Sequence, residues 1–258
     1  MCHFLQAREV RRLFQPPVIP LTFLRFQLVE KQLLEFHAVA MQRPDFKKTE
    51  DMFNRVLGKD HIAVISLLED IKTGTRFIVA NAHIHWDPAY SDVKLVQTAL
   101  MVEEVERCAA NFAKLPPRPP APKSSDDKEP QRAPPVYTDG TKIPAILCGD
   151  FNSTPGSGVY DFMATGYLPP THPDFLSHKY GRYAQEGLKH RLNLKSAYAN
   201  PEAGGEHHVT NFTPGYKGEI DYVWYTAGNL SINSVLERLD KNYLDKCVGF
   251  PNMHYPSE

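Results

Sequence analysis

Apolar and polar residues alternate through Phe26-Gln-Leu-Val-Glu, a period of two that predicts a β-strand. Within Asp51 to Leu57 the spacing lengthens, and Met52, Phe53, Val56 and Leu57 predict a helical turn. Ile62 to Leu68 is a β-branched and aliphatic run that reads as a buried strand. The string Asp70-Ile-Lys-Thr-Gly-Thr supplies turn chemistry, and Arg76 to His83 returns as a second strand, so a hairpin is expected. Ser91 and Asp92 then form a helix start, and Val93, Val96, Ala99, Leu100 and Val105 place an apolar stripe along a helix reaching about Ala113. Ile143 to Asp150 reads as a core strand, with further strands at Asn211 to Phe212, Ile220 to Tyr225 and Leu230 to Leu236. Strands dominate without regular alternation with helices, which predicts an α+β sandwich.

Two segments break this pattern. Residues 116–135 hold 8 of the 22 prolines, interspersed with Lys, Asp and Ser, so regular structure is excluded there. Because a core strand follows at once, this is a solvent-exposed insertion within one fold. Residues 1–24 carry Arg8, Arg11 and Arg12 but also Glu9, Pro16, Pro17 and Pro20, and read as an irregular N-terminal segment rather than a targeting signal. Residues 25–258 are then one domain.

Composition narrows the functional classes. With 42% apolar residues in 258 the chain can bury a real core. The 29 basic residues balance 30 acidic ones, so a nucleic-acid partner cannot be argued from net charge and phosphate binding must be local. No apolar run approaches the roughly 20 residues of a membrane span. Cys2, Cys108, Cys148 and Cys247 lie far apart without zinc spacing, which fits a reducing compartment.

Chemistry gathers at three strand ends. In Asn81-Ala-His-Ile-His-Trp-Asp-Pro, His83 and His85 stand two apart on a strand and are expected on one face, able to bind a metal or donate to a phosphate, unless one of them is a core histidine. In Gly149-Asp-Phe-Asn-Ser-Thr-Pro, Asp150 and Asn152 flank an aromatic anchor and present hard oxygen donors that suit Mg²⁺. The competing reading of that string is an Asx turn. In the third, Asp221 opens an aromatic strand, where an unpaired carboxylate is costly; it is either partnered by a histidine or sits in water at the strand mouth.

Taken together and in this order, the strings N-A-H-I-H-W-D-P, G-D-F-N-S-T-P and N-F-T-x-x-x-K-G-x-I-D-Y resemble the endonuclease/exonuclease/phosphatase superfamily. Within it the chain is similar to the nuclease domain of carbon-catabolite-repressor type mRNA deadenylases, exonucleases of the CCR-NOT complex. The resemblance implies a DNase-I-like four-layered α/β sandwich and Mg²⁺-dependent 3′-to-5′ hydrolysis of poly(A) tails, in the cytoplasm and compatibly the nucleus. Residue by residue, it implies that Asp150 orients the attacking water and touches metal, that Asn152 holds metal or phosphate, and that His83 donates to the phosphate. Asp221 would orient a histidine. Pro88 and Tyr216 would pack on base faces, with Asn211 supplying a polar contact.

The resemblance also implies features that these 258 residues lack. The family's upstream strand with an L-Q-E-V-E string bearing a Mg²⁺-ligating Glu does not occur, nor does the terminal catalytic His: the chain reads Tyr255-Pro-Ser-Glu258 where the family continues with Asp-His. The leucine-rich repeats that tether members to their partner nuclease are absent too. An incomplete sandwich is therefore expected, with first and last strands missing. Two functions follow: a poly(A)-specific exoribonuclease, or a catalytically inactive fragment that at most binds RNA or protein partners.

Overall fold

The structure, a computed structural model, describes residues 25–117, 133–199, 208–236 and 239–253. Residues 1–24, most of the 116–135 insertion and the chain end at Glu258 lie outside them.

The strand begun at Phe26 runs on to Glu35 as β1 and passes directly into helix α1, Phe36–Gln42. A helical turn follows over residues 50–57. The hairpin is present as β2 (Ile62–Asp70) and β3 (Arg76–His83), with Asp70 Oδ1 accepting from the backbone N–H groups of Lys72 and Thr73 in the turn. Helix α2 spans Ser91–Lys114 and carries the chain across to β4, Ala145–Asp150, parallel to β3, the long crossover that a parallel pair requires. After α3 (Gly158–Thr165) the chain makes two short pairs, β5 (Tyr167–Leu168) with β6 (Leu188–Lys189) and, beyond β7 (Leu194–Ser196), β8 (Asn211–Thr213) with β9 (Tyr216–Gly218). Strand β10, Asp221–Thr226, closes the series. The main sheet has six strands in the order β1-β2-β3-β4-β10-β7.

The expected strand at Leu230 to Leu236 is absent; residues 231–236 are exposed and the stretch pairs with no strand of the sheet. Its apolar alternation had no neighbouring strand to bury it, and apolar pattern alone does not make a strand. The hairpin β8/β9 was legible only in its first strand, because Tyr216-Lys-Gly carries no alternation.

One face of the sheet packs on α2. Ala63, Ile65, Leu67, Ile78, Ala80, Ala82, Ala145, Leu147, Tyr222 and Trp224 are all buried there. The predicted stripe on α2 is buried, but so is every residue from Asp92 to Met101, because α3 and the segment around Pro173–Phe175 cover the helix from the other side. The enclosure covers only the first half of α2, since Arg107, Ala110, Asn111 and Lys114 are exposed, and the last carbonyls of the helix still need donors. Its C-terminal carbonyls receive Arg76, only 3% exposed, which donates to Phe112 O at 2.6 Å, Leu115 O at 2.8 Å and Pro116 O at 2.8 Å and pairs with Glu69 at 3.4 Å. A guanidinium there supplies donors to orphan carbonyls and opposes the negative end of the helix dipole. Replacing Arg76 by Leu leaves Glu69 buried without a cation, and we expect a loss of about 3–5 kcal/mol in unfolding free energy by urea titration; Glu69→Gln, which keeps a hydrogen-bonding partner, costs less.

Candidate active site

Strand register brings three of the singled-out side chains into one row. His83 on β3 is the Cα partner of Asp150 on β4, and Asp150 is the Cα partner of Asp221 on β10. Residues directly opposite one another share a sheet face, so an imidazole and two carboxylates stand side by side at one end of the sheet. His83 Nε2 lies 3.5 Å from Asp150 Oδ2. The row depends on Gly149: at φ +135° a Cβ there would lie 1.9 Å from the Ala82 carbonyl oxygen, so β3 and β4 can approach only where position 149 lacks a side chain.

Beyond β4 the chain turns sharply. Phe151 is fully buried and donates its N–H to Ile220 O at 2.9 Å, anchoring the turn. Asn152 adopts a left-handed conformation, φ 47°; its backbone N–H donates to Asp150 Oδ1 at 2.7 Å and its side-chain Nδ2 to Ile84 O at 2.8 Å. The Asx turn is thus real, and it orients the donor set: with the amide nitrogen engaged, the Asn152 amide oxygen remains for a cation, beside the Asp150 carboxylate.

His83 and His85 do not share a face, contrary to the alternation read from the sequence. β3 ends at His83; Ile84 N–H then bonds Asp150 O at 2.8 Å and the chain leaves the sheet. His83 is exposed, whereas His85 is 4% exposed among the rings of His61 and Tyr90, each at 5.1 Å. Burial, with the nearby positive charge of Lys59, pushes the His85 imidazole down to about 4. It is the core histidine of the pair. Its backbone N–H is held by the Gln97 side-chain oxygen at 2.9 Å, which ties the following loop to α2. The same loop is gripped at Arg55, whose guanidinium clasps the buried Asp92 carboxylate at 2.6 and 2.8 Å and donates to Ala89 O at 3.0 Å, while Tyr180 donates its hydroxyl to Asp92.

That loop forms one wall of a cavity of about 700 Å³ lined by Trp86, Pro88, Lys94, Asn152, Asn211 and Tyr216 among others. The structure therefore brings Pro88, Asn152, Asn211 and Tyr216 into one cavity. Burial, and then the negative charges of Asp150, Asp221 and Glu219, pushes the Tyr216 phenol up, so this ring lies in the field of the row. Asp221 itself lines a separate cavity of about 390 Å³ with Cys148, His208 and Glu219.

Two side chains at the main cavity escaped the sequence reading. Trp86 lies inside the first motif and Lys94 next to the apolar stripe of α2; a charge flanked directly by Val93 and Leu95 was the available signal. Lys94 is buried and donates from Nζ to Asn152 O at 2.7 Å. Burial pushes its ammonium down, while the negative charges of Asp87, Asp150 and Asp174 act the other way.

Two carboxylates and an imidazole thus meet at one end of a mixed sheet, beside a cavity with flat side chains in its lining. Residues 43–243 match the model of the Endonuclease/Exonuclease/phosphatase family, and the chain belongs to that family. It is 54% identical over 234 residues to the CCR4-Not complex 3′-5′-exoribonuclease subunit Ccr4 of Mycosarcoma maydis, covering 91% of this chain and 34% of that protein. The subunit of the same name from Schizosaccharomyces pombe is 44% identical over 235 residues, covering 91% of this chain and 33% of that protein. The chain thus spans about a third of the length of these curated relatives. Among solved structures, ANGEL2, a 2′,3′-cyclic phosphatase crystallised with adenosine-2′,3′-vanadate, superposes with a TM-score of 0.60 at 23% identity, covering 88% of this chain and 63% of that one. That likeness supports the DNase-I-like fold. Among the described residues no helix is long and apolar enough to cross a membrane.

His85, buried neutral, has a folded pKa below that of the unfolded chain. Above pH 6.5 this costs nothing; as pH falls from 6.5 towards 4 the unfolded state binds a proton that the folded state refuses, and stability is lost. We expect of order 1–2 kcal/mol less stability at pH 5 than at pH 7 from this group, read by chemical denaturation, with a flatter pH profile in His85→Phe.

Proposed function

We propose that the chain supplies the catalytic face of a poly(A)-specific, Mg²⁺-dependent 3′-to-5′ exoribonuclease that shortens mRNA tails as part of a CCR4-Not assembly, in the cytoplasm and compatibly the nucleus. The observation that carries this reading is the His83–Asp150–Asp221 row beside a cavity walled by Pro88, Asn211 and Tyr216.

The family's hydrolases generally work with a divalent metal. The donors present fit Mg²⁺ in kind: the Asp150 carboxylate and the Asn152 amide oxygen are hard ligands, and Mg²⁺ is commonly held by one or two carboxylates with retained waters. Among the described residues no group of three or more His, Cys, Asp or Glu is placed to hold a metal, so such an ion would keep much of its water shell. Bound there, it would polarise the phosphate and lower the pKa of a coordinated water.

The chain's own groups supply the rest. Asp150 accepts the proton of the attacking water, a role a carboxylate can fill within hydrogen-bond reach. His83, 3.5 Å away, donates to a phosphate oxygen and offsets the charge that builds on it. Pro88 and Tyr216 clamp the terminal base by stacking, worth about 1–3 kcal/mol per base, and Asn211 offers a hydrogen bond that stacking alone cannot, making the pocket selective for a base edge.

A second reading, a non-catalytic fragment that binds RNA or protein partners, is favoured by the absence of a three-ligand cluster among the described residues. Incubation with 5′-labelled, adenosine-tailed RNA and Mg²⁺ separates the two. We expect stepwise shortening, slowed about 10²–10⁴-fold in Asp150→Ala and requiring more RNA for saturation in Tyr216→Ala. Intact RNA with the unaltered chain establishes the non-catalytic reading instead.

A further inference from the structure

Two placements at the main cavity are costly for a protein that merely folds. Trp86 is 56% exposed although indole is among the most water-averse surfaces available. Lys94 is 7% exposed, a charge in the enclosed stretch of α2 that it shares with the buried Asp92, Gln97 and Thr98. Neither is needed for the base clamp described above, which uses Pro88 and Tyr216. Both line the same cavity as that clamp.

The loop bearing Trp86 is rigidly placed. The residue before it bonds Gln97, and Asp87 after it caps the next turn by accepting from Ala89 N–H at 2.9 Å. The indole is therefore held at the cavity without being packed into the core. An ammonium has three donors; one of those on Lys94 goes to the Asn152 carbonyl at 2.7 Å, and the group stands among Asp87, Asp150 and Asp174 in a site otherwise dominated by negative charge. A polyanionic chain entering such a site needs a local cation, since the net charge of the whole protein is -1.

We infer that Trp86 and Lys94 form a second nucleotide subsite, the indole stacking on the base next to the terminal one and the ammonium contacting the phosphate that joins the two. This deepens, and rests on, the reading of the cavity as a base-binding site. It makes the minimal ligand a dinucleotide and gives single-stranded RNA, rather than a free nucleotide, as the preferred substrate class. Stacking accepts any base, so this subsite adds affinity and direction but no adenine selectivity.

The test compares adenosine, one base and no phosphate, with phosphorothioate-linked ApA, two bases and a charged linkage that resists hydrolysis. Binding is followed by NMR titration. The full chain should bind ApA more tightly than adenosine. Trp86→Leu should weaken ApA by about 5- to 140-fold, the stacking range at 1.4 kcal/mol per decade, and leave adenosine within twofold. Lys94→Met should weaken ApA only, and lower the slope of log affinity against log salt by about 0.7, the value for one phosphate contact on a single strand. Tryptophan emission gives an independent signal. Of the two tryptophans, Trp224 is 1% exposed, so quenching by ApA reports Trp86. Adenosine bound as tightly as ApA, equal losses for both ligands in Trp86→Leu, or an unchanged salt slope in Lys94→Met would overturn the subsite while leaving the base clamp standing. If neither ligand binds the unaltered chain, the base-binding reading of the cavity fails and the subsite falls with it.

Discussion

Position 149 has no room for a side chain. The Ala82 carbonyl of β3 occupies the space where a Cβ would be, so β3 and β4 can approach this closely in parallel register only with glycine at 149. The consequence reaches well beyond one glycine. Parallel pairing sets His83 against Asp150, antiparallel pairing of β4 with β10 sets Asp150 against Asp221, and both follow from where β4 sits. A slip of one residue would send every one of these groups to the opposite face of the sheet. Chemistry at the sheet end is thus a property of register, enforced by sterics at a point two strands wide.

Around that point the protein spends buried polar groups freely. Arg76 beneath the end of α2, the Arg55–Asp92–Tyr180 cluster at its start and Lys94 along its side are ionic or hydrogen-bonded groups around a helix whose first half is buried. Each has a polar partner, which is what makes it tolerable in the interior. Their placement is not random: Arg76 fixes where α2 ends, Arg55 and Asp92 fix the turn that carries Pro88, and Lys94 holds the left-handed Asn152. The helix that shields one face of the sheet is also the part that positions the loops at the cavity.

Much of this was legible in the linear chain. The hairpin β2/β3, the extent of α2, the core strand ending in Gly-Asp-Phe-Asn and the strand opening at Asp221 are written in local periodicity and turn residues, which depend on neighbours a few positions away. The failures have the same explanation in reverse. Leu230 to Leu236 alternates like a strand but has no partner to pair with. Two histidines spaced like strand neighbours part company, because the strand ends at the first and the second turns inward to the rings of His61 and Tyr90.

What the residues alone determined, then, was the kinds of chemical group available and the elements that bear them: carboxylates at strand ends, an amide beside one of them, flat rings further along, and no sign of a charge-driven interface. Only the folded chain decided which of these became neighbours. Burial and proximity are set by segments distant in sequence, so a lysine drawn into the wall of a cavity and an indole left standing at its rim are visible only once α2, the loop after β3 and the turn after β4 have met.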